Sequence, residues 1–189
     1  MVKNPYPNVI AFDDAPFPRD YRGDVKIVGA VFAGLRFDGL LIGKVRKDGA
    51  NSAKKIVELV KGSKFNEHVQ LVMLQGISVA GFNVVDTQFV FQELRRPVLV
   101  VARRRPEPEK MKKALLDNLP GGRRKWKLVE RLGPMEPCLN CYVQRVGLSR
   151  KDAEKVIKFT AIYGSIPEPL RVAHLVAGAL GTGVSSGRV

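Results

Sequence analysis

The chain has 189 residues, of which 45% are hydrophobic, and its 32 Lys and Arg against 18 Asp and Glu give a formal net charge of +14. This length is sufficient to bury one full core, and we expect a single domain over residues 1–189. A strongly positive surface attracts polyanions and disfavours acidic small partners, so the charge favours nucleic acid as the partner. Basic composition also arises from solubility requirements alone.

The sequence has no segment typical of a secretory leader or a membrane span. No charged segment followed by an apolar one lies near the N-terminus, and no apolar run reaches the roughly 20 residues that a membrane span needs. We therefore expect a cytoplasmic protein without membrane contact, and the sequence leaves open whether it is a monomer or a homodimer. The glycine- and serine-rich segment 181–189 is expected to be a flexible tail.

The first part of the chain predicts three antiparallel strands. Residues 8–13 form a short apolar segment that ends in carboxylates, which is typical of a buried strand. Residues 25–35 and 40–45 are apolar and β-branched, and residues 36–39 between them carry a turn signal. These two segments therefore predict a hairpin.

The middle of the chain alternates predicted helices with predicted strands. Asn51 can cap a helix that ends before Gly62, and Asp86 can cap the next helix. Continuous apolar runs follow these helices at residues 69–74 and 97–102. Such runs are typical of parallel strands that are covered on both faces.

The last part of the chain predicts two further strands and three helices. Ser149 and Asp152 fit a capping box at the start of one of these helices. The predicted helices cover residues 108–119, 150–163 and 167–180, and the predicted strands cover residues 124–132 and 141–146.

This order of elements is that of the RNase H-like fold, an α/β fold whose central mixed sheet is flanked by helices. In that fold the first strand ends in a metal-binding aspartate, and Asp13 holds this position. A carboxylate that closes an apolar strand is costly to bury unless something binds it, which favours a metal at Asp13. Asp14 is expected on the other face of the strand and can be either a ligand or a turn former.

Three segments resemble endonuclease V. Ala11-Phe12-Asp13 is similar to its Gly-Val-Asp strand, and Val101-Ala102-Arg103 is similar to its Val-Ala-Lys strand end. Residues 166–174, Ile-Pro-Glu-Pro-Leu-Arg-Val-Ala-His, are similar to its Leu-Pro-Glu-Pro-x-Arg-x-Ala-His/Asp helix. With Phe12-Asp13-Asp14-Ala15-Pro16-Phe17, most of the chain resembles even more closely an archaeal domain-of-unknown-function family that has been labelled endonuclease dU.

The resemblance implies a metal-dependent endonuclease of DNA repair that nicks DNA, or RNA, at or near a deaminated base such as uracil or hypoxanthine. It implies that Asp13, Asp14 and Gln75 bind Mg²⁺ or Mn²⁺ and that His174 contacts the metal or a phosphate as a catalytic residue. His174 could instead be a structural histidine on an apolar helix face. The expected nucleic-acid contacts are Arg103, Arg104, Arg105 and Arg171.

Two departures from the endonuclease V pattern affect this interpretation. The second metal aspartate of that family, in an Asp-Gly at a strand end, is replaced here by Gln75-Gly76, whose amide provides an oxygen without charge. The glutamate that follows the family's Pro-Tyr-x-Pro motif near the third strand has no clear counterpart, and Asp48 and Glu58 are only loose substitutes for it. Metal affinity is therefore expected to be lower, and a catalytically inactive nucleic-acid-binding protein is the alternative function.

Cys138 and Cys141 are the only cysteines, and their C-x-x-C spacing can hold a disulfide, half of a zinc site or neither. A structural zinc site needs four ligands, and His68 and His174 lie far away in sequence. A thiol-based redox protein is a third interpretation, which the basic charge does not support.

Overall fold

The computed structural model describes residues 4–185, and its strands and helices follow the predicted order closely. The strands are β1 (Asn8–Asp14), β2 (Asp24–Ala33), β3 (Arg36–Arg46), β4 (Leu71–Gln75), β5 (Ser78–Val79), β6 (Asn83–Val84), β7 (Val98–Ala102), β8 (Glu136–Cys138) and β9 (Cys141–Val146). The helices are α1 (Ser52–Lys61), α2 (Thr87–Leu94), α3 (Pro108–Asn118), α4 (Gly122–Leu132), α5 (Arg150–Thr160) and α6 (Glu168–Thr182).

Within residues 4–185, seven strands form one mixed sheet in the order β3-β2-β1-β4-β7-β9-β8. Strands β1, β2 and β3 are antiparallel, whereas β4 lies parallel to β1 and β7 lies parallel to β4. Strand β9 is antiparallel to both β7 and β8. This arrangement confirms the predicted α/β fold with a central mixed sheet, in which three antiparallel strands are followed by parallel strands.

Helices cover both faces of the sheet. Ile10 and Phe12 of β1 pack in a cluster with apolar residues of α1, α2, α3 and α4. Val9 and Ala11 pack in a second cluster with residues of α5 and α6. Successive residues of a strand point to opposite faces, so β1 contributes alternate side chains to the two clusters. We call these the α1–α4 face and the α5–α6 face.

The predicted strand over residues 124–132 is wrong, because this segment belongs to helix α4. Trp126, Val129 and Leu132 pack against the core at a spacing of three residues, which is typical of a helix. The apolar content of the segment alone does not distinguish a helix from a strand. The helix starts tightly against α3, since a Cβ atom on Gly122 would lie 1.8 Å from the carbonyl oxygen of Leu115. Gly122 therefore sets the close contact between α3 and α4.

The turn between β2 and β3 lies earlier than predicted. Gly34 has a φ of 64° and occupies the turn, while Arg36 to Gly39 already pair with β2. A left-handed backbone conformation is readily adopted by glycine, which explains the position of the turn. The short strands β5, β6 and β8 were not predicted from the sequence.

The helix caps predicted at Asp86 and Ser149 are confirmed. The side chain of Asp86 accepts a hydrogen bond from the backbone N–H of Phe89, and Ser149 accepts one from Asp152. Asn51 precedes α1 but does not cap it with its side chain, which instead accepts hydrogen bonds from the Arg46 backbone and from Asn83.

The last helix extends into the segment that the sequence predicts to be a flexible tail. Helix α6 continues to Thr182, so the first residues of the segment 181–189 are helical, whereas residues 186–189 lie outside the described part of the chain. Across residues 4–185, no helix combines the length and apolar character required to cross a membrane.

Candidate active site

The carboxyl ends of the adjacent parallel strands β1 and β4 bring Asp13 and Gln75 together. Phe12 is paired with Leu74 in the parallel register, and Asp13 and Gln75 are the next residue on each strand. Ala11 and Met73 point to the α5–α6 face. Asp13 and Gln75 each lie two residues further along the same strand, so their side chains point to that face as well. The two side chains therefore lie at the same edge and on the same face of the sheet.

Asp13 is 6% exposed and is bonded through both carboxylate oxygens. Its Oδ2 lies 2.7 Å from Nδ1 of His174 on α6, and its Oδ1 accepts a hydrogen bond of 2.9 Å from the backbone N–H of Asp14. The hydrogen bond to Asp13 raises the pKa of His174 above its usual value, with the charges of Asp13 and Asp14 acting in the same direction against the effect of burial. The structure thus brings together two of the three predicted catalytic residues.

Asp14 follows Phe12 in the alternation of β1 and lies towards the α1–α4 face, as expected. Burial, and to a smaller extent repulsion from the Asp13 charge, raise the pKa of Asp14 to about 7. A hydrogen bond from the backbone amide of Ala80, between β5 and β6, opposes this shift, as does the charge of His174. The site therefore holds two consecutive carboxylates at an energetic cost.

Gln75 supplies an oxygen that lacks a protein partner. Its Oε1 is buried and accepts no hydrogen bond from any described residue. A buried acceptor without a partner is unfavourable by about 1–3 kcal/mol, and a cation would satisfy it. In residues 4–185 no three His, Cys, Asp or Glu side chains are grouped to hold a metal, so a metal site at this edge depends on Gln75.

The donor set fits a hard divalent cation. Mg²⁺ prefers oxygen ligands and is usually held by one or two carboxylates, with water and substrate phosphates completing its coordination. Asp13 and Gln75 provide one charged and one neutral oxygen donor, and Asp14 provides a second carboxylate on the other side of β1. Asp13 and Gln75 would hold Mg²⁺ or Mn²⁺, whereas the carboxylate of Asp14 lies towards the opposite face of the sheet.

Asp48 and Glu58, the loose substitutes for the missing glutamate, have other partners. Asp48 accepts a hydrogen bond of 2.8 Å from the backbone N–H of Phe82, and its own backbone N–H donates to the Ala80 carbonyl. Glu58 is exposed on α1 and pairs with Lys55 at 2.5 Å. Asp48 thus supports the segment that binds Asp14, and neither side chain is bonded to Asp13 or Gln75.

The predicted arginines differ in their surroundings. Arg103, Arg104 and Arg105 are exposed and follow the carboxyl end of β7, at the same sheet edge as Asp13 because β1, β4 and β7 are parallel. The guanidinium of Arg171 is bound by Glu168 at 2.5 Å. The carboxylate of Glu168 therefore already balances the charge of Arg171 before any contact with nucleic acid.

A cavity of about 400 Å³, which we call the apolar pocket, lies beside the ends of β4 and β7 on the α1–α4 face. Trp126 forms part of its wall, and Ile77, two residues beyond Gln75, and Arg105 also line it. The remaining lining residues are Pro106, Pro108, Met111, Val129, Glu130, Gly133, Pro134, Met135 and Gln144. The sequence does not predict this pocket, because the segment that carries Trp126 is expected to be a strand and is a helix in the structure.

A second cavity of about 440 Å³, which we call the basic cleft, lies on the other side of the candidate active site. Its lining residues come from the loop after β1 and from the end of β3, namely Arg19, Asp20, Tyr21, Arg22, Arg46, Lys47 and Asp48. The sequence spacing gave no signal for this cleft, because its two segments meet only through the β2–β3 hairpin.

The two cysteines lie opposite each other at the ends of β8 and β9. Both are buried and free, and the Cys141 thiol donates a hydrogen bond of 3.2 Å to the Cys138 carbonyl oxygen. A hydrogen bond from Cys141 lowers the pKa of Cys138, and that bond together with burial raises the pKa of Cys141. The part of the chain that the structure describes brings no third metal ligand to them, since His174 is bound to Asp13.

The raised pKa of Asp14 predicts that Asp14→Asn stabilises the metal-free protein at alkaline pH. The folded-state pKa of about 7 lies above the unfolded value, so wild-type stability falls as the pH rises towards 7 and the loss is complete above it. The advantage of the variant should grow by about 2–3 kcal/mol between pH 5 and pH 8. Urea unfolding of the wild type and the variant in EDTA measures the difference in their free energies of unfolding at each pH. The same difference at both pH values would contradict the prediction.

Comparison with known proteins places this chain in a family. The family model for endonuclease dU matches residues 6–181. A UPF0215 protein of Deinococcus radiodurans is 49% identical over 190 residues, and the match covers 99% of this chain and 97% of that protein. A UPF0215 protein of Methanothermobacter thermautotrophicus is 36% identical over 183 residues, covering 95% of this chain and 90% of that protein.

Solved structures support the same assignment. A crystal structure of a protein of unknown function from Archaeoglobus fulgidus is 36% identical, with a TM-score of 0.86 over 93% of this chain and 99% of that one. Endonuclease V of Ciona intestinalis, crystallised with a DNA that contains an inosine followed by a ribo-adenosine, is 17% identical, with a TM-score of 0.55 over 89% of this chain and 83% of that one. The latter likeness shows a shared fold. Since the family model spans nearly the whole chain and the relatives match along most of their length, this chain belongs to the endonuclease dU family.

Proposed function

We propose that the protein is a metal-dependent endonuclease that nicks DNA at or beside a deaminated base, uracil or hypoxanthine. The observation that carries the proposal is the convergence of Asp13, Gln75 and His174 at the carboxyl ends of β1 and β4, in a member of the endonuclease dU family. The net charge of +14 supports a polyanionic substrate. The inosine-containing DNA in the Ciona intestinalis complex supports a deaminated base in that substrate.

In this proposal each residue has a distinct role. Asp13 supplies the negative charge of the metal site, and His174 fixes the orientation of its carboxylate through the 2.7 Å hydrogen bond. Gln75 supplies its unpartnered oxygen without adding charge, so the site remains less negative than one with two carboxylates. When bound, the ion would lower the pKa of a water nucleophile and neutralise charge on the phosphate.

The apolar pocket provides a place for the damaged base. Its volume of about 400 Å³ is that of a small-molecule site, and the Trp126 ring in its wall offers a stacking surface. Enzymes that recognise a single damaged base in duplex DNA turn it out of the stack into such a pocket. The pocket lies at the same sheet edge as Asp13 but on the opposite face of the sheet. The phosphodiester backbone of the DNA would therefore cross this edge while the damaged base enters the pocket.

Gln144 in the wall of the pocket suggests how a deaminated base would be distinguished from the base that it derives from. Its Nε2 donates a hydrogen bond of 2.5 Å to the Gly133 carbonyl oxygen, which leaves its buried Oε1 without a partner among the described residues. Uracil and hypoxanthine present a ring N–H that could donate to this oxygen. Cytosine and adenine carry an unprotonated ring nitrogen at the corresponding position and cannot donate there.

The proposal is tested with a panel of labelled duplexes that contain uracil, hypoxanthine, xanthine, an abasic site or no lesion, incubated with Mg²⁺, Mn²⁺ or EDTA. We expect nicking of the uracil or hypoxanthine duplex that requires the metal and exceeds nicking of the undamaged duplex. Cleavage in EDTA would contradict the metal site, and equal cleavage of all duplexes would contradict recognition of the base.

The neutral side chain at Gln75 favours a second candidate function, a nucleic-acid-binding protein without cleavage activity. An amide in place of a carboxylate weakens metal binding, because the ion loses one charged ligand. In this case the lesion duplexes would be bound in preference to undamaged DNA, and none would be nicked with either metal.

A further inference from the structure

The basic cleft lies at the same edge of the sheet as the candidate active site. The loop that carries Arg19 and Arg22 begins directly after Asp14, and Arg46 ends β3, which runs in the same direction as β1 because both are antiparallel to β2. In the strand order β3-β2-β1-β4-β7, the cleft is on the β2–β3 side of Asp13, and the apolar pocket is on the β7 side.

The loop that carries Arg19 and Arg22 is held in place by contacts that do not involve the guanidinium groups of these two residues. The ammonium group of Lys47 donates a hydrogen bond of 2.6 Å to the Arg19 carbonyl oxygen and lies 5.4 Å from the centre of the Phe17 ring. The Tyr21 hydroxyl donates to the Asp24 carbonyl oxygen at 3.0 Å, and the backbone N–H of Tyr21 donates to Pro18. The conformation of the loop therefore does not depend on the guanidinium groups.

The charges of the cleft are not balanced. Within the basic cleft, Arg46 lies 3.9 Å from a carboxylate oxygen of Asp24, and elsewhere Arg36, Arg145 and Arg150 each pair with a carboxylate. Across residues 4–185, the guanidinium groups of Arg19 and Arg22 contact neither a carboxylate nor a carbonyl oxygen within bonding distance, although Asp20 and Asp48 also line the cleft. Several cations held close together repel one another, and an anion that enters between them relieves this repulsion.

We propose that the basic cleft binds the phosphodiester backbone of the nucleic acid strand that enters the candidate active site, with Arg19 and Arg22 each contacting a phosphate. The inference rests on the proposed function in one respect, namely that the substrate is nucleic acid. The strand then runs along the carboxyl edge of the sheet from the basic cleft, past Asp13 and Gln75, to the apolar pocket. Guanidinium groups suit this role because they bind phosphate oxygens in a bidentate manner.

The test compares the double variant Arg19→Ala/Arg22→Ala with a charge-matched control, Lys64→Ala/Lys151→Ala. Both control lysines are exposed at the opposite edge of the sheet, Lys64 before β4 and Lys151 after β9. Binding to a labelled, lesion-free duplex is measured in EDTA between about 50 and 200 mM salt. Thermal unfolding of both variants verifies that they are folded.

Each phosphate contact contributes about 0.9 to the slope of log K against log salt, so the cleft variant should lose about 1.8 while the control keeps the wild-type slope. The affinity of the cleft variant for the duplex at low salt should fall by about tenfold or more. An unchanged slope in the cleft variant, or an equal loss in the control, would overturn the proposal.

A free phosphate anion shares the chemistry of the backbone phosphate, and a second measurement separates the two. Inorganic phosphate added at constant ionic strength should not displace the duplex from the wild-type protein. Displacement that disappears in the cleft variant would assign the cleft to a free anion and overturn the proposal. Because these measurements are made in EDTA, a failure of nicking in the duplex panel would leave their outcome unaffected.

Discussion

Asp13→Asn is expected to reduce nicking of a uracil or hypoxanthine duplex by about 10³-fold or more while leaving binding to the duplex in EDTA intact. The substitution removes the charge of the one carboxylate that lies beside both Gln75 and His174, with little change of shape. Loss of the several kcal/mol that a metal contributes to a phosphoryl transition state corresponds to a rate decrease of this size. Single-turnover gel assays on the lesion duplex measure the effect.

Gln75→Asp provides the complementary change. A second carboxylate beside Asp13 should raise the affinity for Mn²⁺ about tenfold, measured by calorimetry, and should raise the nicking rate if the shorter side chain still reaches the ion. Gln75→Leu is the matched control, since it keeps the size of the side chain and removes the oxygen, and it should weaken Mn²⁺ binding. Undiminished cleavage by Asp13→Asn would refute the site, and no cleavage by any variant, including Gln75→Asp, would favour the function without catalysis.

Trp126→Ala is expected to lower the affinity for the uracil or hypoxanthine duplex by about 10- to 100-fold. Stacking of a base on an aromatic side chain contributes about 1–3 kcal/mol, and the alanine variant loses this contribution. Trp126→Phe keeps an aromatic surface and should lie between the wild type and the alanine variant. Equilibrium binding in EDTA measures the effect without interference from cleavage.

The abasic duplex is the control for this experiment, because it brings no base to the apolar pocket. Trp126 also packs against the core and donates a hydrogen bond to Glu130, so its removal can loosen α4. Such loosening would weaken binding to the lesion and abasic duplexes equally. Recognition of the base predicts a loss with the lesion duplex alone, and equal losses would refute it.

The order of the helices and strands could be read from the sequence because it depends on local patterns. Apolar runs predicted β1, β4 and β7, and the caps at Asp86 and Ser149 followed from residues within four positions of each other. Where a local pattern is ambiguous, the prediction failed, as for residues 124–132, whose helical contacts are made with parts of the chain that are distant in sequence.

Local patterns predicted most of the strands and helices in their order along the chain, and they predicted the position of Asp13 at a strand end, since strand periodicity and a terminal carboxylate are local properties. The order of the strands in the sheet, and the groups that meet at its carboxyl edge, depend on the tertiary structure. Asp13 and His174 are separated by 161 positions, and their hydrogen bond exists because α6 packs on β1. Among residues 4–185, the unpartnered oxygen of Gln75 and the guanidinium groups of Arg19 and Arg22 without a carboxylate partner likewise depend on which carboxylates and amides the fold brings near them. Electrostatic and hydrogen-bonding partners are set by distance in space, and the sequence encodes that distance only through the completed packing of the sheet and its helices.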